Sequence, residues 1–231
     1  MTVPLRREPP RFQPVTATRV EAVSPRLQRV TLSGLRNFSV DEPAASVRLL
    51  LPVADELVMP AWNGNEFLLP DGSRPAIRTL TPRFLRDGEL DVDIVVHDQG
   101  VLREWVREGA EGAISGPGRG YTIDYDAPGY VLAGDETAIP AISQLLELLS
   151  PMPVKAFVEA RPDARHDLPV TWCESFVEAV RAARVRDERV WVAGEAAAVQ
   201  RVRKHLFEER GLPRAQATVR GYWKQGRAES D

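Results

Sequence analysis

From Val15 onward apolar and polar residues alternate at every second position, first in VTATRVEAV (Val15 to Val23) and then in LQRVTLSGL (Leu27 to Leu35). Ser24-Pro25 between them is a turn signal, and the period of two predicts two strands, each with one buried face. SVRLLLPV (Ser46 to Val53), AIRTLTPR (Ala76 to Arg83) and ELDVDIVVH (Glu89 to His97) continue the series. A sixth strand is expected around Ala113 to Ser115, after the short helical stretch VLREWVREGA. Six short strands with one helix before the last predict a closed antiparallel barrel.

Past Gly129 the period changes. A strand at Tyr130 to Ala133 leads to a helix near Thr137 to Leu149, and a strand at Val154 to Glu159 leads to a helix near Cys173 to Ala183. A third strand at Val190 to Ala193 precedes a helix near Glu195 to Arg210, which places Val199, Val202 and Leu206 on one face and stops at Gly211; a last strand is expected at Ala217 to Arg220. Alternation of this kind makes a parallel sheet covered by helices on both faces. The expected architecture is therefore an α+β chain of two domains: an N-terminal antiparallel β-barrel over residues 1–120 and a C-terminal α/β parallel-sheet domain over residues 121–231. The border falls in the glycine-rich SGPGRGYTIDYDAPG between Ser115 and Gly129.

Charge and composition narrow the chemistry. A net charge of -3 over 231 residues argues against nucleic acid as the partner, so any basic site must be local. Cys173 is the single cysteine, and His97, His166 and His205 stand far apart, so neither a disulfide nor a metal centre is expected. With no run of ~18 apolar residues and no apolar leader, membrane insertion is not expected. The expectation is a cytoplasmic monomer.

The stretch VLAGDETAIPAI (Val131 to Ile142) has the grammar of a nucleotide-binding turn: an apolar run, Gly134, then a helix start. It also carries Asp135 and Glu136 where a phosphate cradle would hold glycines. Asp135 and Thr137 are good helix N-caps, acids in a first turn favour the dipole, and Pro140 there costs no helical hydrogen bond.

Four stretches together resemble the siderophore-interacting protein family, flavin-dependent ferric-siderophore reductases within the ferredoxin-reductase superfamily. They are RTLTPR (Arg78 to Arg83), VVHDQGVLREW (Val95 to Trp105), LAGDETAIPAI (Leu132 to Ile142) and the segments WVAGE, RKHLFEERGL and GYWKQG between Trp191 and Gly226, in the family's order over nearly all of the chain. The resemblance implies FAD held mainly by the barrel, NADPH or NADH as electron donor, and a ferric siderophore as substrate. In it Arg78 grips the FAD diphosphate, a role suited to a planar guanidinium. Thr79 and Leu80 adjoin the flavin, with Leu80 where an aromatic residue is usual, and Thr81 lies near the flavin N5 as the catalytic side chain. His97 matches a histidine beside the flavin. Gly100, Val101 and Leu102 open the helix on which the diphosphate rests, with Arg103 where the family often has serine. Gly134, Asp135 and Thr137 border the visiting nicotinamide, Gly194 and Glu195 occupy a similar strand-to-helix position, and Trp223 is placed against the cofactors. Arg48 and Lys224 match basic residues that hold the ferric complex, so iron needs no ligand from the protein. Arg161 and Arg165 in EARPDAR either pair with a 2′-phosphate or are solvated loop arginines. Two other readings stand beside this one: a flavin or ferredoxin-type reductase with a different acceptor, and a binding protein for flavin or a ferric chelate without turnover.

Overall fold

The computed structural model describes residues 9–96 and 100–226 of the chain. Strands β1 (Gln13–Ala22), β2 (Leu27–Ser33) and β3 (Val47–Leu50) are followed by a small hairpin of β4 (Ala61–Trp62) and β5 (Phe67–Leu68). Then come β6 (Ile77–Leu80), β7 (Pro82–Arg86), β8 (Glu89–Val95), the helix α1 (Val101–Trp105) and β9 (Glu111–Ser115). Apart from the hairpin, these strands form one antiparallel sheet of seven in the order β6-β3-β9-β1-β2-β8-β7.

The stretch Ala76 to Arg83, expected as one strand, is two. β6 and β7 lie at opposite edges of the sheet, yet only Thr81 separates them in the chain. The sheet must therefore curl until its edges meet at that residue, so Thr81 is the seam of the barrel. Leu32, Leu49, Leu90, Val92 and Ile114 fill the interior, and α1 adds Trp105, whose Nε1 donates to the Glu111 carbonyl at 2.8 Å.

The C-terminal half holds β10 (Tyr130–Asp135), α2 (Ile139–Leu148), β11 (Val154–Glu159), β12 (Thr171–Cys173), α3 (Phe176–Ala182), β13 (Arg189–Glu195), α4 (Ala196–Lys204) and β14 (Ala217–Trp223). Five strands run parallel in the order β12-β11-β10-β13-β14. Cys173, expected to begin a helix, ends a strand instead: Thr171 to Cys173 pair with Phe157 to Glu159, and α3 starts only after Ser175, whose hydroxyl accepts from Glu178 N. The last strand extends past Arg220 to Trp223 because β13 continues to Glu195 and keeps pairing with it. Among the described residues no helix is long and apolar enough to cross a membrane.

Side chains lock the two sheets together. Arg220 of β14 donates to the carbonyls of Ala44 (3.1 Å), Arg119 (3.2 Å) and Gly120 (2.5 Å), tying the last strand to a barrel loop and to the connecting segment. Gln144 of α2 accepts from Ala44 N at 3.0 Å and donates to the Arg83 carbonyl at 3.2 Å, while Arg83 pairs with Glu147 of the same helix. Arg26, from the turn between β1 and β2, reaches Glu136 at 3.1 Å.

Candidate functional site

Between the two sheets runs a cleft of about 1550 Å³. Arg78, Thr79, Leu80 and Thr81 form its barrel wall. Strand alternation alone would send these four side chains to opposite faces; they share one wall because the strand ends at the seam, where a groove is reached from both sides. Gly100, Val101 and Leu102 follow along the same wall, at a helix start with no side-chain cap among the described residues. His97 falls outside the described residues.

On the opposite wall stand Asp135, Thr137, Pro140, Tyr222, Trp223 and Lys224. Both acids of the β10 turn are engaged by the protein itself. Asp135 is buried and accepts four hydrogen bonds: from Thr137 N (3.0 Å), Thr137 Oγ1 (2.5 Å), Glu195 N (2.7 Å) and Trp223 Nε1 (2.8 Å). Burial pushes its pKa up, against the pull of those donors. Glu136 faces Arg26 in an ion pair between the domains. Neither carboxylate is therefore an open repulsive charge at the mouth of the site.

Four expected site residues lie off the cleft wall. Arg48 is exposed in β3, paired with Thr79 and Ser115. Gly134 and Gly194 are packing positions: a Cβ on Gly134 would lie 2.3 Å from the Ala193 carbonyl oxygen, and one on Gly194, at φ +152°, would lie 2.6 Å from Asp135 Oδ2. Glu195 caps α4 by accepting from Ala198 N at 2.8 Å and also accepts from Gln225 N at 3.3 Å.

At the far end the cleft is bordered by Glu159, Ala160, Arg161, Arg165, Cys173 and Glu174. Glu159 accepts from Phe176 N at 3.1 Å and so serves as a cap for α3. Arg161 approaches Asp163 at 3.4 Å, and Arg165 lies over the Trp172 ring at 6.0 Å. Burial and the neighbouring Glu159 raise the Cys173 thiol pKa, which keeps it protonated and unreactive at neutral pH.

Sequence reasoning gave Tyr222 no role. It lines the cleft together with Thr81, its ring packs edge-on against Trp191 with centroids 6.3 Å apart, and burial pushes its pKa to about 12. Its only signal in the sequence is an aromatic residue in GYWKQG.

Comparison with known proteins agrees with this fold. A family model described as siderophore-interacting FAD-binding domain matches residues 16–121, and a second, described as siderophore-interacting protein, matches residues 127–226. An uncharacterized protein of Mycobacterium tuberculosis is 33% identical, covering 93% of this chain and 90% of its own. The NADPH-dependent ferric-chelate reductase of Escherichia coli is 29% identical over 92% of this chain and 93% of its own. Among solved structures, a siderophore utilization protein from T. fusca superposes with a TM-score of 0.84 at 28% identity, over 98% of this chain and 97% of that one.

Proposed function

The chain belongs to the siderophore-interacting protein family, and from that premise we propose that it is a cytoplasmic reductase passing electrons from NADPH or NADH, through FAD, to the Fe(III) of a siderophore. The observation that carries the reading is the cleft itself, which joins the barrel seam at Thr81 to the end of the parallel sheet at Asp135 and Trp223. The residues present fit FAD: a guanidinium at Arg78, the helix start at Gly100, and apolar cover from Leu80, Val101 and Leu102. When bound, the flavin supplies the acceptance of a hydride, two electrons, from the nicotinamide and their return one at a time, so that one NAD(P)H reduces two ferric complexes to Fe(II).

The protein's part is binding and orientation. Arg78 and the N–H groups at the start of α1 hold the diphosphate. Thr81 offers its hydroxyl to the flavin N5, and Tyr222, protonated up to a pH of about 12, lines the same cleft from the other domain. Arg161 and Arg165 at the far end supply cations for a 2′-phosphate, which favours NADPH. Lys224 at the mouth offers charge to an anionic ferric siderophore, with Arg48 as a more distant attraction on the barrel surface. Iron is carried by its chelator throughout, and release follows because a ligand set built for Fe(III) holds Fe(II) weakly.

An absorption spectrum of the purified protein tests the reading. Flavin bands that bleach anaerobically on adding NADPH, followed by loss of a ferric-siderophore band with two equivalents of trapped Fe(II), are expected. Bands that never bleach would make it a binding protein, and bleaching without iron reduction would give it another acceptor.

Two substitutions separate the roles. Arg78→Ala is expected to weaken FAD binding about 10- to 100-fold, the loss of one or two charge-assisted hydrogen bonds, as read by flavin-fluorescence titration of the apoprotein. An unchanged dissociation constant would remove Arg78 from the diphosphate site. Lys224→Ala is expected to lower kcat/KM for the ferric siderophore about three- to tenfold and leave flavin reduction by NADPH intact in stopped flow. Equal loss in both assays would assign Lys224 to the flavin.

A further inference from the structure

The order of the parallel sheet reverses between β10 and β13, and a crevice opens beyond the strand ends at such a point. Here the Asp135 side chain bridges it. Asp135 ends β10 and Glu195 ends β13; Oδ2 of the first accepts from the backbone N–H of the second at 2.7 Å. The same Oδ2 accepts from Trp223 Nε1 at 2.8 Å, while Oδ1 takes both Thr137 donors. All four partners are donors, and an ionised carboxylate presents acceptors alone, two lone pairs on each oxygen. Gly194 makes the room: without a Cβ it lets Oδ2 approach where any other side chain would collide.

These contacts leave Asp135 little to offer a ligand, since its oxygens point at protein donors and it is 8% exposed. What it presents to the cleft is the indole it holds. Trp223 is 39% exposed at the end of the edge strand β14, and beyond it, among the described residues, Gln225 N meets Glu195 Oε1 at 3.3 Å. A strand end on a sheet border frays unless something fixes it, and the carboxylate does so from the centre of the sheet.

We propose that Asp135 is a positioning residue that acts on the nicotinamide nucleotide through Trp223, whose indole it fixes against the cleft, and does not itself touch the nucleotide. The kinetic part of this inference rests on the reductase reading; the structural part does not.

The test uses the flavin-loaded protein, with Asp135→Asn, Trp223→Phe and the double variant. The ¹⁵N-indole resonance of Trp223 is identified by its loss in Trp223→Phe. In Asp135→Asn that resonance should shift and its exchange with water accelerate about tenfold or more, as a charge-assisted hydrogen bond is lost. The resonances of Trp62, in the β4-β5 hairpin, and Trp105, in the barrel, should stay in place. Each single variant should lower kcat/KM for NADPH about tenfold, and the double variant should be no worse than the poorer single one, because both break the same link. A Trp223 resonance unmoved in Asp135→Asn overturns the proposal, as do losses that multiply to about a hundredfold in the double variant, the mark of two independent contacts. Should Asp135→Asn fail to fold, Trp223→Phe decides alone: kcat/KM for NADPH must fall while FAD affinity stays within about twofold, and an unchanged kcat/KM overturns the proposal. If the protein proves to bind no flavin the reductase reading fails, and the indole resonance still tells whether Asp135 fixes Trp223.

Discussion

Arg26→Ala is expected to destabilise the protein by about 3–5 kcal/mol, the cost of breaking a buried pair by removing one partner. The Arg26 side chain is 9% exposed and its Glu136 partner 15%, so little solvent reaches the charge left behind. Asp163 stands a further 3.8 Å from Nε, and the backbone of Arg26 is held as well, donating to the Asp163 carbonyl at 3.2 Å. One residue of a barrel turn thus binds both the turn after β10 and the loop after β11. For a chain of this size the loss corresponds to a fall of roughly 6–20 °C in melting temperature, measurable by differential scanning calorimetry. Arg26→Met, which keeps the length without the charge, should not restore stability, whereas adding Glu136→Gln to Arg26→Ala should recover part of it. A fall of less than about 1 kcal/mol, the level of a surface pair, would show that the contact is solvated.

The second large effect is expected at Gly134→Ala. The added Cβ would sit 2.3 Å from the Ala193 carbonyl oxygen and 2.5 Å from the Ala138 Cβ. One neighbour belongs to the adjacent strand and the other to the turn packed across the sheet, so neither yields by rotating a side chain. Overpacking at such a place costs about 3 kcal/mol. Gly221→Ala, in the same sheet, is the control: its new Cβ meets Ala196 at 3.7 Å, an ordinary contact, and stability should stay within about 0.5 kcal/mol of the parent. Chemical denaturation of the two variants side by side checks the contrast, and equal midpoints would mean that β10 and β13 can separate at little cost.

What could be read from the sequence was what depends on neighbours along the chain. The period-two stretches of β1, β2 and β8 and the strand-helix alternation after Gly129 report burial of one face, which is local. The break at Thr81 is not: nothing in RTLTPR distinguishes a single strand from two strands at opposite borders, because closure of the barrel decides it. β4 and β5 are two residues each and carry no period at all. Asp135 was legible as a helix cap through Thr137, two positions on, but its other donors lie 60 and 88 positions away. The tie made by Arg220 was not legible, because its acceptors are carbonyls of a barrel loop and of the connecting segment, a partner type that leaves no mark in composition.

Those three carbonyls under Arg220 bear on how visitors come and go. A hinge motion that swung the halves apart would have to break the charge-assisted hydrogen bond to Ala44 and shift the connecting segment held by the other two, at about 1.5–3 kcal/mol per bond. Traffic through such a riveted frame proceeds with the halves at fixed spacing, past the side chains at its rim. Turnover would then be paced by local rotation of those side chains and not by large-scale rocking.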